Sequence, residues 1–518
     1  MSRVLWGILG FLPFTLLVLL NVGGYRYGVS DQAFYLPVML QELQPDLFPL
    51  DTVLLDAQNR FLAFDDLFGW ILRLSGFSLP FAFLFVYLGG LSVLYASAAR
   101  MATALYSSYW AVIAFLTALA IKHRIADTAV NTLEPYLHPR LLAFAVGLSA
   151  TATFLHGRSW TALLIAALAL LFHPTTGLWF VILLLVAVMA SDRDARHPII
   201  ALCGIIALIS IGVLTSTLRS QLVIMDADWS AVLQSKDYLL ATNWPLSTWF
   251  LNLGLAALIF GIYDHRRTHS LTSGRESGLI AGCFALLILF LVSVPLAHAG
   301  IAFVIQLQLN RVFWVLDVVA LWYVIWFLTE SPWSTQSLFS SFKNRWRRIH
   351  ISHAAVVLLL ISAIARGSYV SFVERSQHPL VEIDLPTTEW TEVMRWAREQ
   401  PIDTHFLADP GHAWRYGSSL RTAGHRDVYL EEVKDIGIAI YSKAIAERIA
   451  RRIGDLGNFD TLDASRALWL ARRYRLDYLI TEHSLDLPPA YEHGRFTVYK
   501  LQSNNRFSWT TSQSDSSN

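Results

Sequence analysis

The feature that most constrains this chain is a series of long apolar runs, which recur along most of its 518 residues. Most of the runs have the length of roughly 18–25 residues that an α-helix needs to cross a hydrocarbon core of ~30 Å. Apolar residues make up 54% of the sequence and charged residues only 15%, which excludes an ordinary soluble protein. We therefore predict an α-helical polytopic membrane protein with about eleven spans. The first span ends at about Leu20, and the others lie near 78–99, 104–121, 141–156, 160–172, 175–190, 198–216, 246–263, 278–297, 312–329 and 351–368.

Charge and cysteine content narrow the range of partners. The formal net charge is only +1 and no basic stripe is present, so a nucleic-acid partner is not expected. Both cysteines, Cys203 and Cys283, lie inside apolar runs. They build neither a disulfide framework nor a zinc site.

The apolar runs and a change of composition predict the domain organisation. The first apolar run lacks a convincing cleavage site, so we expect it to be retained as a helix. Residues 1–369 then form a transmembrane domain, in which 25–77 is the first extracytoplasmic loop. Residues 370–502 alternate apolar strands with amphipathic helices, as in a small α/β domain. The Ser-rich segment 503–518 is expected to be a disordered tail.

The positions of the cations predict the orientation. If Ser2 and Arg3 are cytoplasmic, the most basic loop, around Lys343 to Arg348, lies on the same side of the membrane. Cytoplasmic loops carry an excess of Lys and Arg. We therefore expect a cytoplasmic N-terminus, with the loop 25–77 and the C-terminal domain on the opposite side.

The start of the first extracytoplasmic loop carries the principal candidate for chemistry, Asp31. It follows directly on a predicted membrane exit, where an ionisable group is costly to retain without a use. Such a carboxylate can act as a general base toward an attacking hydroxyl. As the alternative, Asp31 caps the next helix, a role worth about 1 kcal/mol. That helix, and a second one near 61–74, have the pattern of helices lying in the membrane interface.

A second group of polar residues lies in the segment 122–140. Lys122, Arg124 and Arg140 break the positive-inside trend there, and together with the nearby histidines they predict a site for phosphate or another anion. The alternative is that each cation only extends toward the membrane surface from a helix end. The remaining candidates to line the cavity of this anion site are His123, Glu134, His138 and His173. The last of these lies at the next membrane exit on the same side of the membrane. The spacing of Glu134, His138 and His173 matches no metal motif, so no metal site is predicted.

A third group enters a predicted span from the same side. It comprises Gln306, Gln308, Asn310 and Arg311, with Asp317 deeper in the span. Polar groups inside spans usually face the bundle interior. Arg311 is a candidate to neutralise a leaving phosphate, and an interhelical ion pair with Asp317 or another carboxylate is the alternative. The preceding segment 217–245 is predicted to cover the cavity as a mobile loop, with Asp226 and Asp228 solvated.

Several of these motifs resemble those of known proteins. The stretch Ser30-Asp-Gln-Ala-Phe-Tyr-Leu-Pro37 resembles the start of the first outer loop in GT-C superfamily integral-membrane glycosyltransferases. The segments that begin at Glu134, His173, Leu307 and Trp390 resemble an uncharacterised bacterial branch of that superfamily. The loop motif of the superfamily has a second acidic residue where this chain has Gln32.

The resemblance implies a function and a role for each candidate. Asp31 would be the catalytic base, and Gln32, Tyr35, Glu134, His138, His173 and Gln308 would line the cavity. The donor phosphate would be bound by Lys122, Arg124, Arg140 and Arg311. The donor would be a polyprenyl-phosphate-linked sugar, and the acceptor an envelope glycan, lipid or protein on the periplasmic face of a bacterial inner membrane. No cofactor is implied with certainty, and a requirement for a divalent cation is left open.

Two functions of other classes remain open from the sequence. A lipid or solute transporter would also place polar groups within spans, but no inverted repeat or matched pair of broken helices is evident. A GT-C-like scaffold without catalysis would explain the glutamine at position 32.

Overall fold

The computed structural model describes residues 3–59, 63–200, 223–331 and 345–502. The described chain is mainly helical and divides into two compact units. The first unit comprises residues 1–27, 61–67 and 74–383, and the second comprises 28–60, 68–73 and 384–518. The predicted tail at 503–518 and most of the predicted span at 198–216 lie outside the described residues.

Helices and short hairpins make up the first unit. Its helices, of which α4 contributes to both units, are α1 (Arg3–Val22), α4 (Ala63–Ser75), α5 (Leu79–Ala102), α6 (Tyr109–Leu119), α7 (Pro139–Leu155), α8 (Ser159–Phe172), α9 (Pro174–Ser191), α10 (Ala227–Leu233), α11 (Leu246–Thr268), α12 (Gly274–His298), α13 (Ala302–Leu307), α14 (Val312–Glu330) and α15 (Arg345–Tyr369). Strand β1 (Tyr25–Arg26) pairs in parallel with β4 (Val381–Glu382), and β2 (Arg124–Ile125) pairs antiparallel with β3 (Val130–Asn131).

Six segments of the described chain are long and apolar enough to cross a membrane. They are Leu79–Ala102, Pro174–Ser191, Leu246–Thr268, Gly274–His298, Ala302–Glu330 and His353–Glu374, and shorter apolar helices lie at Gly10–Val22, Tyr109–Leu119, Pro139–Leu155 and Ser159–Phe172. The chain is therefore a helical membrane protein, and the count of eleven spans stays a prediction. The segments coincide with predicted runs because an apolar stretch of this length satisfies its backbone internally only as a helix.

Close helix packing in the first unit depends on small residues. A Cβ atom added at Gly282 of α12 would lie 2.3 Å from the carbonyl oxygen of Leu183 in α9. Only glycine permits this approach, and small residues are the usual means by which membrane helices pack closely. Aromatic stacking adds to the packing elsewhere, where Phe144 of α7 stacks on Trp314 of α14 at a centroid distance of 4.0 Å.

The second unit contains an α/β layer built on a five-stranded sheet. Its strands are β5 (His405–Leu407), β6 (Asp427–Val428), β7 (Tyr478–Thr481), β8 (Pro489–His493) and β9 (Phe496–Lys500), in the order β6-β5-β7-β9-β8. Strand β5 is parallel to β6 and β7, whereas β9 is antiparallel to β7 and β8. The helices of this region are α16 (Glu389–Glu399), α17 (His412–Arg415), α18 (Leu420–Gly424), α19 (Glu432–Ala439), α20 (Lys443–Leu456) and α21 (Ala464–Tyr474).

The sheet core and the helix start agree with the sequence pattern. Trp390, Val393 and Met394 of α16 pack on Phe406 and Val498 of the sheet. Thr388 caps α16, with reciprocal hydrogen bonds to Thr391. The prediction of apolar spans followed by a C-terminal sheet region is thus confirmed in its general form. The predicted boundaries at 369 and 502 stay predictions.

Helices α2 (Gln32–Leu43) and α3 (Thr52–Asn59) also belong to the second unit. The predicted interfacial helix 32–43 is present, but most of its residues from Gln32 to Met39 are buried in protein. Of these residues, Val38 packs into a core with Leu47, Phe48 and Leu55, and the position of the helix in the membrane interface stays a prediction. The close fit extends to α19, where a Cβ atom at Gly437 would lie 2.6 Å from the Phe34 ring.

Candidate functional site

The side chain of Asp31 does not cap the helix that follows it. Asp31 occupies the N-cap position of α2 but makes no side-chain capping bond there. Its Oδ1 instead accepts a hydrogen bond from Lys434 Nζ of α19 at 3.0 Å. The Asp31 side chain is 27% exposed and that of Lys434 only 4%. The capping alternative is thus wrong for the side chain, and Asp31 is a partly exposed carboxylate held by a buried cation.

Two aromatic rings surround the ammonium group of Lys434. Its Nζ lies 5.2 Å from the centre of the Phe34 ring and 5.5 Å from the centre of the Trp414 ring. Aromatic faces attract a cation, and the attraction is greater where water is excluded. These contacts fix the ammonium beside Asp31, so the carboxylate has a defined position.

Gln32 and Tyr35, the neighbours of Asp31 in the predicted site, are buried. Gln32 Oε1 accepts a hydrogen bond from the backbone N–H of Gly28 at 2.6 Å. An amide suits this buried position because it needs no compensating charge, whereas a second carboxylate would. The glutamine at position 32, where the superfamily motif has a second acidic residue, therefore has a local structural reason.

The second unit also contains a buried ionic network, which includes Asp51 of the same loop. Arg421, only 2% exposed, donates from Nε to Asp51 Oδ2 at 2.7 Å and from Nη1 to Asp435 Oδ1 at 2.7 Å. Arg448 donates to the other oxygen of Asp51. Burial opposes ionisation of Asp51, but Arg421, Arg448 and Arg452 outweigh it and hold its pKa below the ordinary value. Asp51 lies in the first loop, where its sequence neighbours indicate no partner for it.

Two further titratable groups lie beside this network. Burial and the charge of Asp51 raise the pKa of Asp427 to about 7, even though its Oδ2 accepts from the N–H of Leu50 at 3.1 Å. Burial lowers the pKa of His405 to about 4. Neither residue was a candidate from the sequence, because both lie in short strands with no motif around them.

In the first unit, the residues predicted from the 122–140 segment and from His173 come together. Arg140 donates from Nη2 to Glu134 Oε1 at 2.8 Å, and both side chains are buried. Asn131 donates to the same carboxylate at 3.2 Å. The rings of His138 and His173 are 6.1 Å apart. A phosphate bound at Arg140 would therefore share the guanidinium with Glu134.

Arg311 also lies near this group. Burial lowers the pKa of His173 well below its ordinary value, and His138, Arg311 and Arg140 add to the effect. Arg311 follows a break between α13 and α14, where Gln308 adopts a left-handed conformation with φ 51°. The polar residues were predicted from the sequence, but the break was not. Across it the chain forms a short 3₁₀ helix, Leu309–Arg311.

Asp317 has a different partner from the one the sequence suggested. Its carboxylate lies 3.1 Å from Nε2 of His123, not in a pair with Arg311. This hydrogen bond raises the pKa of His123. A pair of Arg311 with Asp317 is therefore not formed, and the alternative of a pair with another carboxylate stays open.

The other two predicted phosphate ligands are more accessible. Arg124 is exposed and lies on the β2–β3 hairpin, whereas Lys122 is half-buried just before it. The carbonyl of Lys122 accepts from Arg366 Nη2 at 3.0 Å. The hairpin turn is held by Thr248, which donates to Asp127 Oδ2 at 2.5 Å.

The described part of the segment 217–245 differs from the predicted loop. It contains α10 and two short 3₁₀ helices, and the N–H of Met225 donates to the carbonyl of Gly300 at 2.8 Å. Asn310 donates to the carbonyl of Tyr238 at 2.7 Å. Asp226 caps α10 through Trp229 instead of being merely solvated. These bonds make the segment an ordered part of the first unit.

Arg26, which the sequence reasoning passed over, is the remaining cation of interest. Its backbone N–H donates to the carbonyl of Pro135 at 2.7 Å, next to Glu134. Its Nε and Nη2 atoms are buried and have no hydrogen-bond partner among the described residues. Buried guanidinium donors without an acceptor are costly, and the two of Arg26 are consistent with a binding site for an anion. The signal in the sequence was a cation directly after the first apolar run.

No group of three or more His, Cys, Asp or Glu side chains within residues 3–59, 63–200, 223–331 and 345–502 is arranged to hold a metal ion. Glu134, His138 and His173 are thus not grouped as metal ligands.

The fold of the chain, with apolar helices followed by a C-terminal α/β region, is similar to that of a solved archaeal oligosaccharyltransferase. The apo crystal structure of the Archaeoglobus fulgidus oligosaccharyltransferase matches 92% of this chain and 69% of its own, with 11% identity and a TM-score of 0.50. The archaeal oligosaccharyltransferase AglB from the same organism, in complex with an inhibitory peptide and a dolichol-phosphate, matches the same shares with 13% identity and a TM-score of 0.48. No protein-family model and no curated protein matches the chain.

Proposed function

We propose that this protein is a membrane glycosyltransferase that transfers a sugar from a polyprenyl-phosphate donor to an acceptor of the cell envelope. The GT-C fold supports the reaction class. The observation that carries the proposal is Asp31, a partly exposed carboxylate held in place by Lys434 at the start of the first loop. A positioned carboxylate of this kind can serve as a general base.

The proposed reaction exchanges one bond to the anomeric carbon for another. The acceptor hydroxyl gives its proton to Asp31 as its oxygen bonds to the anomeric carbon of the sugar. The bond between that carbon and the phosphate oxygen breaks, and the lipid phosphate leaves with the electron pair. Lys122, Arg124, Arg140 and Arg311 are the predicted ligands of that phosphate, and cations there stabilise its developing charge. Their assignment to the same reaction as Asp31 comes from the sequence, where each group lies beside the end of a predicted span.

Arg26 gives this proposal support that the sequence did not. Its buried Nε and Nη2 donors lack an acceptor among the described residues, and a phosphate oxygen would supply one. We add Arg26 to the proposed phosphate ligands. In the proposed orientation the N-terminus is cytoplasmic, and the loop and the C-terminal domain face the periplasm of a bacterial inner membrane. The distribution of Lys and Arg supports the orientation.

A non-catalytic scaffold with the same fold is the second candidate. The ion pair of Asp31 with Lys434 favours it, because the pair also gives Asp31 a structural use.

A complementation experiment separates the two candidates. Lipid and envelope extracts are compared between a deletion strain and strains that express the wild-type chain, Asp31→Asn or Asp46→Asn. Asp46 is an exposed residue of the same loop and serves as the matched control. We expect a glycosylated product that is lost on deletion and is restored by the wild type and the control, but not by Asp31→Asn at equal membrane level. Restoration by Asp31→Asn would favour the scaffold.

A further inference from the structure

The second unit presents an aromatic side chain to solvent next to the proposed catalytic carboxylate. The Trp414 side chain is 65% exposed. Among residues 384–502 it is the only large hydrophobic side chain that is exposed, since the other large apolar groups there pack into the sheet core or are half-buried. An exposed indole in a region whose other large apolar side chains are buried or half-buried indicates a binding site for a ligand or a partner.

The position of Trp414 is fixed by its helix and not by a loose loop. Helix α17 is anchored by His412, which is fully buried and accepts from the N–H of Leu420 at 3.1 Å. At the other end, Arg415 donates to Asp409 Oδ2 at 2.6 Å. The backbone that carries the indole is therefore held in place, and a ligand that docks there orders little of the backbone.

Lys434 connects this surface to Asp31. Its ammonium lies 5.5 Å from the centre of the Trp414 ring and 3.0 Å from Asp31 Oδ1. All three residues belong to the second unit. A group that stacks on the Trp414 indole is thus separated from the Asp31 carboxylate by a single side chain, that of Lys434.

We propose that Trp414 is a stacking platform for a pyranose ring of the sugar substrate, beside Asp31. The C–H bonds of one pyranose face carry partial positive charge and are attracted to the negative face of an indole, as in other edge and stacking contacts of aromatic rings. The neighbouring Asp31, Lys434 and Arg415 are suited to hydroxyl groups at the edge of that ring. This inference rests on the proposed function, because it takes the sugar of that reaction as the ligand.

The ionic surroundings favour a sugar over a membrane surface as the ligand. Arg415 lies 3.7 Å from Asp460 and 3.9 Å from Glu482, so three carboxylates, counting Asp409, lie beside the indole's helix. Carboxylates repel the anionic lipid headgroups that basic interfacial segments attract. They accept hydrogen bonds from sugar hydroxyls without that penalty.

Saturation-transfer NMR on the purified full-length chain tests the platform. The probes are methyl glycosides of common hexoses, and the variants are Trp414→Ala, Trp414→Phe, Asp31→Asn and the control Trp70→Ala, which removes an indole that is 57% exposed in the same unit. For at least one glycoside, we expect saturation to be transferred from the wild-type protein to the ring protons of the sugar. Trp414→Ala should weaken its binding about two- to tenfold. Trp414→Phe should weaken it less, Asp31→Asn should weaken it modestly because a hydroxyl contact changes, and the control Trp70→Ala should bind as the wild type does.

Three outcomes would overturn the inference. They are equal binding by Trp414→Ala, absence of glycoside binding by the wild type, and quenching of Trp414 by brominated lipids in vesicles, which would make it a membrane anchor. The binding readout needs no turnover, so its failure is distinct from that of the proposed function. If the transfer assay is positive and Trp414→Ala binds the glycoside normally, only the platform is wrong. If glycoside binding depends on Trp414 and transfer is absent, only the proposed reaction is wrong.

Discussion

Lys434 Nζ donates a hydrogen bond to Asp31 Oδ1 over 3.0 Å, although 403 positions separate the two residues in the sequence. The pair joins the start of the first loop to the C-terminal α/β region within one compact unit. If Asp31 is the base, the C-terminal region positions a residue of the reaction.

Lys434→Met tests this positioning role. Transfer activity should show a fall in kcat of roughly ten- to a hundredfold, with little change in KM for the donor, because misplacement of the base affects the transition state more than binding. Lys434→Arg should recover part of the rate, since the charge is kept. Lys443→Met, at a half-exposed lysine of the next helix, is the control. A purely structural role predicts instead that both Lys434 variants lose membrane level and activity together.

Arg26→Gln tests the unpartnered guanidinium. Affinity for polyprenyl phosphate, measured by titration of the purified chain, should fall on the order of tenfold or more, as for the loss of a hydrogen bond to a charged group. Without lipid phosphate, the variant should unfold at a higher temperature than the wild type, since a charged group with two buried donors that lack an acceptor is removed. Arg73→Gln, at an exposed arginine, should change neither quantity. Unchanged lipid affinity in Arg26→Gln would exclude the phosphate role.

The buried network predicts a large cost for the loss of Arg421. Arg421→Met leaves Asp51 and Asp435 buried without their shared cation. The apparent free energy of unfolding should fall by roughly 3–5 kcal/mol, measured by thermal or denaturant unfolding in detergent. Arg395→Met removes an exposed pair with Glu392 and should cost no more than about 1 kcal/mol. Equal costs for the two variants would contradict the network.

Asp427 predicts how stability depends on pH. Its pKa is raised from 3.8 to about 7, so between these values the folded state binds a proton that the unfolded state has released. The contribution of Asp427 to stability therefore declines as pH rises from about 4 to 7. Asp427→Asn should raise the apparent free energy of unfolding at pH 8 by roughly 1–3 kcal/mol and change it little at pH 4. Unfolding curves at both pH values test this, with the exposed Asp486→Asn as control; a gain of equal size at both would contradict the assignment.

The apolar helices and most sheet strands were predictable from local pattern alone. Leu79–Ala102 and Gly274–His298 follow from their length and hydropathy, and the strands at His405, Tyr478 and Phe496 from short apolar runs between helices. Strands β6 and β8 were missed because one has only two residues and the other is polar and mostly exposed.

The candidate site was predictable only in part, because its partners are distant in sequence. Asp31, Glu134, Arg140, His173 and Arg311 stand out locally as polar groups beside apolar runs. Their partners do not. Asp51 and Arg421 are 370 positions apart, and the sequence around them does not indicate that they form an ion pair. Arg26 becomes a candidate ligand only from the structure, in which its Nε and Nη2 donors are buried without an acceptor among the described residues.

The most direct test of the proposed reaction is transfer of a radiolabelled sugar from a polyprenyl-phosphate donor by the purified chain, with wild type, Asp31→Asn and Asp46→Asn compared at equal protein. Loss of a general base costs about 10²–10⁴-fold in rate. We predict a loss of that size for Asp31→Asn, unchanged donor binding, and wild-type rates for Asp46→Asn. Full transfer by folded Asp31→Asn would contradict the role of Asp31 and, with it, the catalytic account.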